Sequence, residues 1–392
     1  MDIFNYVKKN TLRFADDPFN DVDGLVLSQL VYTKFEAALP ALSEAGDMPG
    51  VCASSDHTSS ACASSGRASA GRFRIKDFYM AEYFPEMFND GLTDKENREF
   101  FTTICASPRF RDLVIKYIVS KTDQENEMQF AAFTFEIDDK TEYVAFRGTD
   151  GSLFGWKEDM KLSFLDEIPA QRKAVEYLNK FFGTGGPSGD KYIHIGGHSK
   201  GGNLAIYSAS FSDPDMHERM LTVRSYEGPG FRDNVAIKIE ESIKRDELDV
   251  AKYVTQGSIV GMMLQPDQTG LKVVKAKAIG WFQHASYAWQ IDDSSGCDFL
   301  YTEMAYTGEY NGRTIHGWLE QVPDEDRAAF TDAVFDILFL NGIKTVNDLK
   351  KINFTKLGKM IDSYSNMKAE NKQVLKNVVG ALAKTAIVKV IP

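Results

Sequence analysis

Cysteine is scarce in this chain, with four in 392 residues, and Cys52, Cys62, Cys105 and Cys297 are too scattered for a disulfide framework or a paired CxxC metal knuckle. Basic residues are outnumbered. Against 56 Asp and Glu stand 45 Lys and Arg, a formal net charge of −11, which argues against nucleic acid as a partner because phosphate binding needs a basic surface. Long apolar runs are missing as well. No charge-free stretch is long enough to span a bilayer, and Met1 to Asn10 carries no basic leader ahead of an apolar segment, so the location expected is cytoplasmic. Histidine is the last scarcity that matters, because only six imidazoles are available for acid–base chemistry.

What is present is hydrophobic content of 43%, enough to bury a large core. Residues 1–125 read as an N-terminal helical region. Apolar positions recur at helical spacing from Asp17 to Leu39 (Val22, Leu25, Leu27, Leu30, Tyr32, Phe35), and again from Ile75 to Lys121, where Arg109 to Ile118 shows an amphipathic face. Between them, Gly46 to Gly71 is almost all Ser, Ala, Gly and small polar residues. It holds too little apolar surface to offset the entropy of ordering it, and a flexible insertion is expected. Cys52, His57 and Cys62 lie within it, but ligands separated by Ser/Ala runs lack the turn geometry of a zinc site, and no metal is expected.

From 126 to 320 strand and helix signals alternate. Strands are predicted over 128–137, 142–146, 192–195, 221–226, 252–255 and 271–278, with helices over 169–182, after Ser199, and over 233–245. Such alternation predicts an α/β fold with a mostly parallel sheet covered by helices on both faces. Residues 321–392 form a C-terminal helical extension. Its last helix mixes Leu375, Val378 and Leu382 with Lys372, Lys376 and Lys384, a pattern shared by helices packed on their own domain and by helices in peripheral contact with a membrane.

The chemistry is signalled by Gly197-His198-Ser199-Lys200-Gly201, a GxSxG pattern between the alternating run Lys191 to Ile195 and the helix start Asn203 to Ala209. A serine at the apex of a strand-to-helix turn has strained dihedrals, and the residues two places either side must be small for the chains to pass. Ser199 is therefore the candidate nucleophile. It needs a base. His57 is in the insertion, His194 is on the strand, His198 is fixed beside the nucleophile, and His217 and His316 lie in helical stretches expected to be exposed. His284 follows the last predicted strand, at the sheet end where such sites assemble, and is the base chosen. An acyl-transfer site also needs two oxyanion donors. The backbone N–H of Lys200 supplies one, and Thr149, after the strand that ends in Phe146-Arg147-Gly148, offers an N–H and a hydroxyl for the other. Trp156 and Asp159 are expected to anchor that loop.

With these residues in hand, the chain resembles the class 3 lipase-like α/β-hydrolases, and within them a bacterial lipase-like family. The resemblance is carried by Phe146-Arg147-Gly148-Thr149 with Trp156 and Asp159, Gly197 to Asn203, Gly228-Pro229-Gly230-Phe231, Ser258 to Met262, and Gln283-His284 with Trp289. Pro18-Phe19-Asn20 with Val22-Asp23 looks like that family too. It implies an α/β-hydrolase fold with an N-terminal helical cap, and a Ser-His-acid esterase or lipase with Ser199 as nucleophile, His284 as base and Thr149 in the oxyanion hole. One departure stands out. The fungal-type members carry the acid as Asp in an Asn-Asp-Ile-Val-like run, whereas Gly257-Ser258-Ile259-Val260 has no carboxylate. Glu227 and Asp267 both keep the order Ser, acid, His. Glu227 is preferred because it ends a strand where some α/β-hydrolases hold their acid and where the bacterial family looks like Asp-Gly-Pro-Gly-Phe; a backbone carbonyl orienting the imidazole is the remaining arrangement.

The function expected is hydrolysis of an acyl ester through an acyl-enzyme, with no cofactor. A small-molecule ester or a lipid is the substrate class, and Leu153-Phe154-Gly155-Trp156 is expected to form an apolar rim. A catalytically weak scaffold that binds a lipid or small molecule is the alternative, and a transacylase would differ only in the acceptor. Deletion of residues 46–71 is expected to leave folding and any hydrolytic activity intact. A variant that fails to fold, judged by its far-UV circular dichroism and melting curve, would contradict the reading of that stretch as a flexible insertion.

Overall fold

The structure is a computed structural model describing residues 1–45, 72–89, 91–264 and 270–388. The stretch 46–71, with Cys52, His57 and Cys62, and the alternative acid Asp267 lie outside the described residues. Runs rich in Val, Ile, Phe and Tyr pair into one sheet whose strands follow chain order: β1 (Phe73–Arg74), β2 (Val114–Asp123), β3 (Met128–Glu136), β4 (Thr141–Phe146), β5 (Tyr192–His198), β6 (Met220–Tyr226), β7 (Val250–Thr255) and β8 (Leu271–Val274). The first four pair antiparallel. From β4 to β8 every pairing is parallel, as an α/β-hydrolase arrangement requires.

Helices cover both faces. On one side α1 (Ile3–Lys9), α2 (Asp21–Leu30) and α3 (Asp94–Ala106) share a core with the sheet in which Leu25, Phe100, Phe133 and Tyr226 are buried. The N-terminal helices are therefore laid directly on the strands. Beyond α4 (Leu153–Lys161), the helices α5 (Pro169–Phe182), α6 (Lys200–Phe211) and α7 (Asp233–Arg245) bury Tyr177, Leu204 and Val235 against Val144, Ile195 and Val223 on the other side. The C-terminal helices α8 (Tyr306–Gln321), α9 (Asp324–Leu340), α10 (Phe354–Asn366) and α11 (Ala369–Val388) complete the chain. The last of them packs on α8 and α9, and the Trp318 indole N–H donates to the Val378 carbonyl at 3.3 Å. Among the described residues no helix is long and apolar enough to cross a membrane.

Two expectations are corrected. Arg109 to Ile118 is not helical: helix α3 ends at Ala106, and Val114 opens β2, with Ile115 opposite Phe135 of β3. The register shifts between Lys116 and Val119, and Tyr117 has φ of 51°. That bulge interrupts the period of two, which is why a β-branched run mimics helical spacing until its partner strand is known. The Leu153 to Trp156 segment forms no rim either. Leu153 is buried with Phe335 and Ile343, and the Phe154 ring stacks on Phe339 at 4.4 Å, so this segment seats the C-terminal helices.

One buried pair ties the N-terminal helices to the sheet edge. The Arg109 guanidinium donates through Nε to Asp23 Oδ1 at 2.9 Å and through Nη2 to Oδ2 at 2.6 Å, both side chains being fully buried. Tyr6 adds a hydroxyl donor to Asp23 at 2.8 Å. Removing one partner strands a charge in low dielectric, so Arg109→Met is expected to lower stability by about 3–5 kcal/mol. A urea midpoint that moves by less than the equivalent of ~1 kcal/mol would show that solvent reaches the pair.

Candidate active site

The turn after β5 is built by steric exclusion. A Cβ at Gly197 would collide with the backbone of Gly201, and one at Gly201 with the Phe146 carbonyl oxygen, so only glycine lets β5, α6 and the end of β4 pass. Ser199 sits at the apex with φ 58° and ψ −133°, a conformation costly for a residue with a side chain. The sheet ladder runs through the turn. Ser199 N–H donates to the Tyr226 carbonyl at 2.9 Å, and one strand further the Glu227 N–H donates to the Tyr253 carbonyl at 2.8 Å. Glu227, with φ of 54°, thus occupies beside β6 the place that Ser199 occupies beside β5.

Glu227 is fully buried, and its carboxylate is held from the back. Oε1 accepts from the Thr255 N–H at 2.6 Å and hydroxyl at 2.9 Å; Oε2 accepts from the Ser258 hydroxyl at 2.9 Å and the Gly261 N–H at 3.2 Å. The run 257–260, which lacks a carboxylate, supplies the Ser258 hydroxyl as a donor to this one instead. Oε2 also faces His284 Nδ1 at 3.5 Å, an ion-pair separation longer than a formed hydrogen bond, and Nδ1 makes no hydrogen bond among the described residues. Burial pushes the Glu227 carboxyl up, but His284 and the Thr255 donors outweigh it and leave it below the ordinary glutamate value.

His198 proves to be more than a neighbour of the turn. Its Nε2–H donates to the His284 carbonyl at 2.7 Å, and the two rings lie 4.6 Å apart. Because a carbonyl can only accept, Nε2 carries the proton and Nδ1 is left facing the Tyr32 hydroxyl at 3.2 Å. Burial pushes its pKa down to about 3, with the charge of His284 adding to the effect, so the ring is a neutral strut between the serine turn and the histidine loop. Tyr32 carried no sequence signal beyond its helical spacing.

On the opposite side of Ser199, Gly148 packs against the turn so closely that a Cβ there would lie 2.6 Å from the His198 carbonyl oxygen and 3.1 Å from Ser199 Cβ. The next residue, Thr149, is thereby brought beside the serine. Its hydroxyl donates to Asp159 Oδ2 at 2.6 Å, which leaves the backbone N–H, without a partner among the described residues, as its free donor. Of the two donors expected of Thr149, only the N–H is therefore left for the site. Asp159 lies inside α4 and anchors the loop, as expected; burial pushes its carboxyl up to about 6 against the opposing charge of Lys200. The Lys200 N–H heads α6 and is one of the donors no helical turn satisfies. Its side chain runs the other way, into a buried ion pair with Glu158 at 2.8 Å and a hydrogen bond to the Gln129 carbonyl at 3.0 Å. Burial would lower the ammonium pKa, but Glu158 and Asp159 outweigh it and hold it raised.

The remaining histidines stand apart. His194 bonds Thr222 at 2.8 Å and packs on Phe19, while His316 is exposed on α8. His217, expected on the surface, is buried against Asp246 at 2.8 Å, because its short helix turns inward toward α7. A cleft of about 960 Å³ opens at the other end of the sheet, among Arg109, Lys116, Glu142 and Lys191, and none of the residues around Ser199 lines it.

A family model described as Mbeg1-like matches residues 104–336, more than half of the chain. No curated protein matches in sequence. Among solved structures, lipase II from Rhizopus niveus is 20% identical over 44% of this chain and 68% of its own, with a TM-score of 0.28. A Rhizomucor miehei lipase propeptide complex is 16% identical over 63% of this chain and 84% of its own, with a TM-score of 0.33. M37 lipase is 15% identical over 47% and 70%, with a TM-score of 0.29.

The neutral His198 has a consequence for pH. An unfolded histidine titrates near 6.5, so between about pH 6.5 and about 3 the unfolded chain binds a proton that the folded one refuses. The His198 contribution is complete above 6.5 and is lost as pH falls through that window, by up to ~1.4 kcal/mol per unit. Melting temperature against pH should show a shallower acid limb in His198→Gln, which keeps an amide donor; superimposable profiles would mean that the wild-type ring is protonated in place.

Proposed function

The chain belongs to the Mbeg1-like family, and we propose that it is a serine hydrolase acting on an acyl ester. The observation that carries the reading is the strained Ser199 backbone set one strand from a buried Glu227 whose Oε2 lies 3.5 Å from His284 Nδ1. In the reaction, Ser199 Oγ attacks the acyl carbonyl carbon while His284 Nε2, the ring nitrogen turned away from Glu227, takes the hydroxyl proton. The oxyanion forms against the N–H groups of Thr149 and Lys200. His284 returns the proton to the leaving alcohol, and water repeats the sequence on the acyl-enzyme to release the acid. Glu227 stabilises the imidazolium, a role suited to a carboxylate that Thr255 and Ser258 hold in one orientation.

The resemblance of Phe146 to Thr149 and of Gly197 to Asn203 to lipase-like motifs makes a lipid or other acyl ester the substrate class to try first. A second reading, a scaffold that binds such a molecule without turning it over, is favoured by one feature: His284 Nδ1 stands at 3.5 Å from its carboxylate with no hydrogen bond formed.

A fluorescent fluorophosphonate discriminates the two. Wild type is expected to label, and Ser199→Ala and His284→Ala to lose labelling. Glu227→Gln should lower kcat on an activated ester by about 10³–10⁴-fold with little change in KM. A folded wild type that stays unlabelled would overturn the hydrolase reading, and full turnover by Glu227→Gln with loss in Asp267→Asn would move the acid role to Asp267.

A further inference from the structure

The segment that delivers His284 is apolar and basic where it meets solvent. From Gly270 to Phe282 it contains three lysines and neither Asp nor Glu, in a chain of net charge −11. Strand alternation sorts its side chains: Val274 and Ala276 point inward and are buried, while Lys275 and Lys277 point outward. The outward row continues into Ile279, which is 85% exposed, and then Trp281 at 50% and Phe282 at 76%. Three large hydrophobic side chains this exposed, side by side, are an interaction surface.

The exposure is not fraying. Behind the loop, Gly257 N–H donates to the Gln283 side chain at 3.0 Å, the Trp289 indole to the Gln283 carbonyl at 3.2 Å, and His198 to the His284 carbonyl at 2.7 Å. Gly280, at φ of 60° with open space around it, turns the tip outward. The loop is thus held at its back and presents apolar groups at its front, with Trp281 5.7 Å from the His284 ring.

We propose that Ile279, Trp281 and Phe282, flanked by Lys275 and Lys277, dock the protein on an anionic phospholipid surface, so that the histidine side of the candidate site faces the lipid. Aromatic and branched side chains enter the interfacial layer while lysines on the same face meet the anionic headgroups. A protein partner would be served equally well by the apolar tip but gives no reason for an acid-free basic row beside it in an acidic chain. The proposal deepens the hydrolase reading by naming the surface on which that site works.

Sedimentation with vesicles tests it, using Ser199→Ala so that binding is scored whether or not the protein turns over an ester. Binding is expected to vesicles containing phosphatidylglycerol and to be much weaker to pure phosphatidylcholine. Ile279→Ser with Phe282→Ser should weaken partitioning about tenfold or more, and Lys275→Gln with Lys277→Gln roughly fivefold for each lysine, with melting temperatures unchanged. In the Ser199 background, Ile279→Ser with Phe282→Ser should leave turnover of a dispersed short-chain ester intact. No binding by the folded protein, equal binding to both vesicle types, or loop variants that bind like the parent would each overturn the proposal; loss of fluorophosphonate labelling with vesicle binding retained would overturn the hydrolase reading alone.

Discussion

The buried Glu158–Lys200 pair holds the candidate site together. Glu158 Oε2 accepts from Lys200 Nζ at 2.8 Å and from the Gln129 N–H at 3.1 Å, and Oε1 accepts from the Ala170 N–H at 2.9 Å. Four elements meet on that carboxylate: β3, α4, α5 and the first residue of α6. Both side chains are withdrawn from water, so their desolvation is tolerable only because the Glu158 oxygens and the Lys200 ammonium each find hydrogen-bond partners within the group. The geometry it enforces is local. Lys200 cannot move without Ser199, and α4, which carries Glu158, also carries Asp159 and through it fixes Thr149.

Strain is stored on this frame. Ser199 and Glu227 both adopt positive φ, and neither conformation persists unless its surroundings over-determine it. For Ser199 the surroundings are the glycine crossing with β4 and the ladder bond to Tyr226. For Glu227 they are four hydrogen bonds to one carboxylate, together with Asn203 of α6, whose amide donates to the Gly230 carbonyl at 2.9 Å and clamps the loop that follows. The parallel register then does the rest: His198 stands opposite Tyr226, and Tyr226 opposite Tyr253, so residues just past adjacent strand ends lie side by side.

His284 is positioned differently. It lies on a loop rather than at a strand end, and what holds it is its own backbone carbonyl, bonded to a neutral His198 that is itself one residue from Ser199. Serine turn and histidine loop are joined by one imidazole. The same loop turns its apolar tip outward, with the Trp281 ring 5.7 Å from that of His284.

What the sequence by itself determined was local: a GxSxG turn that only glycines at 197 and 201 permit, the order of strands and helices from Met128 to Arg245 apart from α4, and a short roster of six histidines. These are legible because steric exclusion and hydrophobic period act between near neighbours. Tertiary structure decided what depends on distant partners. Val114 to Asp123 became a strand because β3 offers an edge to pair with, His217 turned inward to Asp246, and the Thr149 hydroxyl went to Asp159. Glu227 acquired its four donors from residues 28 to 34 positions away, and Glu158 met Lys200 across 42. Pairings at such separations leave no period in the chain, since only the packed sheet brings their partners within hydrogen-bond reach.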